Sequence, residues 1–313
     1  MDTYLLHKLS ILLFFIFSLS LNLYAQTIED VAKKAHLANI NTLLIFTSQE
    51  GLNSGLYHFT NVGVDMEVYH LPFSFNLASD NSQLEYFIVG NVGYSRVFIS
   101  KDIVIPPSSR LNYKNHLQTY TAGLGGGARY KMSNTLNFSL GGELIYSRSG
   151  ASISQPDDNI GDAISDFFNK EYNDNFSYKF FAESEYKPKV EGFKPYAKAS
   201  YKLYETKSSF SFEEFGSFST QSSIFTLTFG AESERLFTYN RSYLTLEAYL
   251  NGNYLFGEVK DVVEFDSYAS IGSVAYWYND SISWIERYFF ELNTIRADGL
   301  EGYNIGLGFS IDY

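Results

Sequence analysis

The amino-acid sequence predicts an all-β protein, namely a transmembrane, antiparallel, up-and-down β-barrel of about twelve strands with a short N-terminal helix. Three observations lead to this fold class. Aromatic residues, which favour strands, make up 18% of the 313-residue chain. Apolar and polar residues alternate with a period of two over long segments, as on a strand with one apolar face. The connections between these segments are alternately short and long, which is typical of bacterial membrane barrels.

The N-terminal 40 residues precede the predicted barrel. Residues 1–25 have the anatomy of a secretory signal peptide, because an apolar run at 9–21 follows Lys8 and ends before the small residue Ala25. The alternative, a membrane anchor, is less favoured because that run is too short to span a bilayer as a helix. Residues 26–40 are the helical candidate, either as a plug in the barrel lumen or as a loosely ordered periplasmic extension.

Alternating hydrophobicity assigns residues 41–313 to the barrel. In residues 302–313, the odd-numbered positions from Tyr303 to Tyr313 are apolar or aromatic, whereas the even-numbered positions are small or polar. Segments elsewhere show the same pattern, with Ile145 as an exception. Strands of about ten residues are longer than those of soluble sandwiches and match the length that crosses a bilayer.

The strand assignment sets the predicted topology. Ten or fourteen strands remain alternatives, because residues 41–77 can be divided in more than one way. Short turns at 78–83, 133–135, 191–192, 238–240 and 279–282 alternate with longer connections at 98–116, 152–174, 208–221 and 257–265, while 51–56 and 298–301 are tight. Bacterial barrels keep their short turns in the periplasm, so we expect a periplasmic C-terminus. The predicted strands are 41–50, 57–77, 84–97, 117–132, 136–151, 175–190, 193–207, 222–237, 241–256, 266–278, 283–297 and 302–313.

Two sets of residues are predicted to serve membrane insertion. Aromatic side chains near strand ends are favoured at the two headgroup levels, although core packing in a soluble β-protein would also use them. We predict that such residues form an aromatic girdle around the barrel, to which Trp277, Trp284 and Tyr303 belong. The last strand also fits the pattern that the barrel assembly machinery recognises by edge pairing, with small residues followed by alternating hydrophobic residues and a terminal aromatic. These positions are Gly306, Gly308, Phe309, Ile311 and Tyr313.

Charged residues recur on the faces that are predicted to point into the lumen. Basic and acidic side chains in such positions predict ion pairs that brace a narrow barrel, and a polarised, ion-selective pore is the alternative. The basic group consists of Lys179, Lys194, Lys198 and Lys202, and the acidic group of Glu183, Glu185, Glu232, Glu234 and Glu247.

Composition and motifs argue against several other functions. The chain has no Cys, which excludes disulfides, thiolate metal sites and a cysteine nucleophile. Its net charge of −12 argues against a nucleic-acid partner. His70 is predicted to face the lumen rather than the lipid, where a barrel hydrolase would need its base, and the glycine-rich segment 123–127 lacks the Lys-Ser/Thr ending of a phosphate loop. We therefore expect no enzymatic activity, no bound metal and no cofactor.

The segment from Trp284 to Leu292, running into Gly302 to Phe309, resembles the barrel of the solitary autotransporter-like outer-membrane proteins of Gram-negative bacteria. The resemblance implies a 12-stranded barrel with a narrow lumen, surrounded by outer-membrane lipid and lipopolysaccharide. Only residues 26–40 separate the predicted signal peptide from the first predicted strand. A secretion role is therefore not implied, because a passenger domain is missing.

The predicted function is that of an integral outer-membrane protein with a structural or surface-interaction role, whose partner at the surface loops the sequence does not identify. A porin-like channel for small solutes is the alternative. An outer-membrane hydrolase is a more remote one.

Overall fold

The computed structural model describes residues 52–60, 64–77, 83–105, 109–154, 172–210, 217–279 and 287–310. These ranges contain thirteen strands and one short helix, and within them no helix is long and apolar enough to cross a bilayer. The helix, α1 (Glu258–Val263), lies between the tenth and eleventh strands. The strands are β1 (Leu52–Phe59), β2 (Val64–Leu77), β3 (Leu84–Ile105), β4 (Ser109–Lys131), β5 (Leu136–Ser154), β6 (Tyr172–Tyr186), β7 (Phe193–Phe210), β8 (Ser217–Ser233), β9 (Phe237–Tyr239), β10 (Ser242–Gly257), β11 (Ser267–Asn279), β12 (Arg287–Ala297) and β13 (Leu300–Ser310).

The sheet closes on itself. Neighbouring strands pair antiparallel throughout the described chain, and β1 pairs with both β2 and β13. The ring continues from β8 to β10 and from β10 to β11, while the three-residue β9 pairs only with the first residues of β10. The closed barrel thus consists of β1–β8 and β10–β13. This arrangement confirms the predicted all-β fold and the count of twelve.

The boundaries of the first two strands were predicted wrongly. The predicted strand 57–77 is in fact two strands, since Phe59 pairs with Val64 and the chain reverses between them. The predicted connection 51–56 falls largely within β1. Alternation continues on both sides of this reversal, which hides it, although Asn61 and Gly63 are turn-favouring residue types. The predicted strand 41–50 lies outside the described residues, as do the signal peptide and the helix at 26–40.

The predicted loop 98–116 is also wrong, because most of it is strand. Pairing between β3 and β4 continues up to Ile105 and Ser109. On the two sides of this hairpin, β2 pairs with β3 only as far as Ile99, and β5 pairs with β4 only as far as Lys114. The hairpin therefore projects beyond its described neighbours. The projecting residues mix polar side chains with the strand-favouring run Ile103-Val104-Ile105, so this part of the chain forms a paired hairpin and not the predicted long loop.

The two ends of the barrel differ. At one end, which we call the turn end, connections of four to eight residues join β2–β3, β4–β5, β6–β7, β8–β10 and β11–β12, whereas those at the other end range from two to 17 residues. At the other, which we call the loop end, lie the connections β1–β2, β3–β4, β5–β6, β7–β8, β10–β11 and β12–β13. Strand β1 begins and β13 finishes at the turn end. The connection predicted as a plain turn at 238–240 contains β9, and the one predicted as a loop at 257–265 contains α1.

Side chains on the outer face form an apolar band. Leu124, Leu144, Phe229 and Ile271, from four different strands, are between 58% and 63% exposed, and the residues beside them in sequence point into the barrel. Exposure of so many large apolar side chains would be unfavourable in water. In hydrocarbon it is the arrangement expected of a membrane-spanning strand.

Aromatic residues border this band at the loop end. Tyr69, Tyr94 and Tyr120 form a row on three neighbouring strands, with ring centroids 6.2 and 5.0 Å apart, and Tyr146 and Phe176 continue it at 5.2 Å. Beyond them the outer face becomes polar. The pairs found there are His58 with Asp65, Arg148 with Asp174 and Arg296 with Glu301. The outer surface thus passes from apolar to aromatic to charged, which matches the layers of a membrane interface.

Candidate functional site

The lumen is the candidate functional site. The outward faces of the strands form the apolar band, whereas the inward faces carry the polar and charged side chains of the lumen. Two layers of inward side chains can be distinguished. An apolar layer lies at the loop end, and polar networks lie between it and the turn end. Among the described residues, no group of three or more His, Asp or Glu side chains is arranged to hold a metal ion.

The apolar layer, which we call the mouth cluster, draws side chains from every barrel strand except β6. The connection that contains α1 adds Val259, Val263 and Phe265. Leu300 and Val259 are essentially inaccessible to solvent. The strand residues of the mouth cluster are Tyr57, Phe59, Met66, Val68, Val97, Leu117, Ile145, Tyr204, Ile224, Leu255, Tyr268, Ile295 and Leu300.

Local backbone geometry directs α1 into the mouth cluster. Gly257 adopts a positive φ of 79°, and a Cβ atom there would clash with the carbonyl group of Gln221, so glycine is required at this sharp turn. The backbone N–H of Gln221 donates to the Glu258 carboxylate at 3.2 Å. After the helix, the Phe265 ring stacks on Phe59 with centroids 6.3 Å apart. The connection is therefore packed within the end of the barrel.

Glu143 is the centre of the first polar network. Its side chain, only 2% exposed, accepts hydrogen bonds from the amide of Asn91 and, at 2.8 Å, from the ammonium group of Lys179. These residues come from β3, β5 and β6. A carboxylate buried to this degree requires such partners, because an unpaired one would cost several kcal/mol (about 3–5 kcal/mol when one partner of a buried pair is removed).

Gly123 on β4 makes this network sterically feasible. It faces the lumen between Asn91 and Glu143, and a Cβ atom at this position would clash with both Oε1 of Glu143 and Nδ2 of Asn91. The glycine-rich segment 123–127 therefore has a packing role: its inward glycines leave room for side chains from the neighbouring strands.

Glu232 and Glu247 form the second polar network, on the opposite wall. Glu247 accepts hydrogen bonds from Tyr196 at 2.5 Å and from Tyr276 at 3.1 Å. Glu232 accepts from Thr245 at 2.7 Å and Tyr278 at 3.1 Å, and Lys194 lies 3.7 Å away. Strands β7, β8, β10 and β11 are tied together by these contacts. Further along the wall, the Tyr249 hydroxyl donates to Glu291 and accepts from Asn293 at 2.6 Å.

Inward aromatic rings repeatedly lie over a glycine of the adjacent strand. In each case the two residues are direct cross-strand partners, and the ring occupies the space that a Cβ atom would need. Each ring thereby extends over the neighbouring strand into the lumen. Phe87 on β3 and Phe181 on β6 approach each other above β4 and β5, with ring centroids 6.1 Å apart. The pairs are Tyr57 with Gly302, Phe87 with Gly127, Phe181 with Gly141, Tyr196 with Gly230, and Tyr249 with Gly272.

The charged residues predicted for the lumen occupy the inward faces of β6, β7, β8 and β10 or the adjoining turns. Lys198 pairs with Glu183 at 2.9 Å, and Lys202 lies on the same face of β7. Two of the predicted charged residues contact groups at the turn end instead. Glu185 forms an ion pair with Lys187 at 3.0 Å, and Glu234 accepts a hydrogen bond from the backbone N–H of Gly192 at 3.1 Å. That these groups brace the barrel stays a prediction. Glu143 and Asn91 were missed, because the contact depends on strand register and on Gly123.

The residues predicted to serve membrane insertion are placed as follows. Trp277 faces outward near the turn end and Tyr303, 68% exposed, faces outward nearer the loop end. Phe309 also faces outward, whereas Gly306 and Gly308 face inward on β13. Trp284, Ile311 and Tyr313 lie outside the described residues. His70 is buried in the lumen, away from the lipid-facing wall.

Comparison with solved structures identifies barrels of the same fold. The β domain of the Bordetella autotransporter BrkA matches with a TM-score of 0.55 and 10% identity, over 83% of this chain and 96% of that chain. The translocator domain of the autotransporter NalP from Neisseria meningitidis matches with a TM-score of 0.56 and 9% identity, over 91% and 97%. No protein-family model and no curated protein matches the sequence. At these identities the likeness concerns the fold, which is that of an autotransporter translocator barrel.

Replacing Gly123 by Ala tests the Glu143 network. The added methyl group should separate Asn91 from Glu143 and lower the free energy of unfolding by about 1–3 kcal/mol. Gly252→Ala is the matched control, because Gly252 has no heavy atom within 4 Å of its hypothetical Cβ. Urea unfolding of the barrel in detergent, followed by tryptophan fluorescence, gives both values. Equal stability of the two variants would show that the network does not depend on Gly123.

Proposed function

We propose that this protein is an integral outer-membrane β-barrel that is not an open channel and acts structurally or through its surface at the loop end. The observation that carries this proposal is the mouth cluster, in which apolar side chains from almost the whole circumference pack together with α1. Ions and polar solutes cross a pore along a wet, polar path, and an apolar constriction excludes water.

The proposed membrane location is supported by the outer face. Its apolar band, aromatic border and charged rim follow one another along the barrel axis as the layers of a bilayer do. The sequence of residues 1–25 adds the expectation of export. We infer the orientation from the connections: the turn end, whose connections have four to eight residues, faces the periplasm, and the loop end, which carries the 17-residue β5–β6 connection and the projecting β3–β4 hairpin, faces the cell surface.

The polar networks support the same proposal. In the lumen, the buried Glu143 and the partly buried Glu232 and Glu247 accept hydrogen bonds from side chains of other strands. Side chains committed to each other in this way are less available to bind a passing solute. A barrel of about twelve strands also has little free volume once long side chains fill it.

We infer no catalytic role. His70 is enclosed in the lumen, so it is not available as a base at the lipid-facing wall.

Conductance decides between the proposed function and the porin-like alternative. Purified barrel inserted into a planar bilayer should give no single-channel steps, because the mouth cluster interrupts the aqueous path. A variant in which residues 258–265 are replaced by a Gly-Ser linker removes α1 and serves as the control for insertion, since it should conduct. Reproducible steps from the wild-type barrel would establish a channel and contradict the proposal.

Cysteine labelling tests the orientation, and the chain is well suited to it because it has no native Cys. Asp298 and Asn134 are both exposed, the first in a connection at the loop end and the second in a turn at the turn end. A membrane-impermeant maleimide should label Asp298→Cys on intact cells. It should label Asn134→Cys only after the outer membrane is permeabilised. The reverse pattern would invert the proposed topology.

A further inference from the structure

One lysine in the lumen differs from the others. On the barrel strands, five lysines whose side chains the structure describes face inward, and four of them lie no more than 3.7 Å from a carboxylate oxygen. Lys202 on β7 is the exception, with no hydrogen-bond or ion-pair partner among the described residues. The four paired lysines are Lys131, Lys179, Lys194 and Lys198.

Strand register explains why Lys202 has no partner. Its direct cross-strand neighbours are Phe181 on β6 and Ile224 on β8, and neither of them carries a charge. The two carboxylates that interact with Lys202 electrostatically are already paired with other lysines. These pairs are Glu143 with Lys179 at 2.8 Å and Glu183 with Lys198 at 2.9 Å.

The charge around Lys202 is therefore unbalanced, because three ammonium groups face two carboxylates. A charge that is enclosed by protein and has no partner is unfavourable, so this position favours a counter-ion. His70 on β2 belongs to the same neighbourhood, and its buried Nδ1 has no hydrogen-bond partner. A buried polar atom of this kind commonly marks the position of an ion or a water molecule.

The lumen gives access to Lys202 from the turn end. Lys202 lies deep in the barrel but keeps part of its surface accessible, so the space beside it is not completely filled. On the same face of β7, the side chains of Lys198 and Lys194 are 32% and 62% exposed, which shows that accessibility increases towards the turn end. In the other direction, the next inward residue is Tyr204 of the mouth cluster, which is only 1% exposed. A small solute can thus reach Lys202 from the turn end, whereas the mouth cluster blocks the loop end.

We propose that Lys202 is the centre of a binding site for a small oxyanion, either a carboxylate or a phosphate, that enters the lumen from the turn end. An ammonium group offers three N–H donors, and its hydrogen bonds to an anionic oxygen are strengthened by charge. The bound anion balances the charge of the three lysines and two glutamates. This inference goes beyond the proposed function, since it concerns the folded barrel alone and not its position in a membrane.

Calorimetric titration of the barrel in detergent tests the site. The probes are inorganic phosphate and acetate, each added at constant ionic strength, and the parent protein should bind one equivalent of at least one of them. Lys202→Gln removes the ammonium group and should weaken this binding at least about tenfold. Lys202→Arg keeps the charge and should retain the binding. The matched control is Lys207→Gln, which loses the same charge from the exposed, outward-facing side of β7 and should bind like the parent.

The two probes distinguish the chemical class of the ligand. Binding of acetate alone supports a carboxylate site, and binding of phosphate alone supports a phosphate site. No binding of either probe by the parent, or equal binding by the parent and Lys202→Gln, would overturn the proposal. Heat-dependent gel mobility shows whether each variant is a folded barrel, and Lys202→Met, which keeps the length of the side chain, replaces Lys202→Gln if that variant does not fold. The conductance test of the proposed function is independent of all these results.

Discussion

Backbone pairing between β1 and β13 is the interaction on which the rest of the barrel depends. It runs from the pair Leu52 and Leu307 to the pair Phe59 and Leu300. In hydrocarbon, an open sheet edge would leave a row of unpaired N–H and C=O groups, each costing several kcal/mol (about 2–7 kcal/mol). Closure removes that edge. Closure also fixes the radius of the barrel and gives every strand one lipid-facing and one lumen-facing side.

The enclosed volume then determines what the inward residues must do. Large rings lie over glycines of the next strand, as Tyr196 does over Gly230, and so fill a space that small side chains would leave empty. Buried charges find partners across strands, as Glu143 does with Lys179. We propose that, together with the mouth cluster, these contacts leave no continuous aqueous path through the lumen. The proposed function is consequently located on the outer surface and at the loop end.

The sequence predicts the lipid-facing side chains of each strand better than the lumen-facing ones. Lipid imposes one uniform requirement, so the alternation from Tyr303 to Phe309 identifies β13 directly. The interior imposes requirements that depend on register. The contact of Asn91 with Glu143 exists because Gly123 lies between them, and no periodic pattern in the sequence indicates this. The position of α1 is likewise set by the positive φ of Gly257, in a segment without the period-two alternation that identifies strands.

A disulfide across the closing seam tests the central claim most directly. Ser54 and Ile305 are cross-strand partners on β1 and β13, and the absence of native Cys permits an unambiguous result. In Ser54→Cys/Ile305→Cys, oxidation of the membrane-inserted protein should link β1 to β13, and the denatured, cross-linked chain should migrate differently from the reduced one. Ser54→Cys/Phe229→Cys, which joins β1 to β8, should remain unlinked. A failure of the first pair to link, in protein that is membrane-inserted, would contradict a closed twelve-stranded barrel.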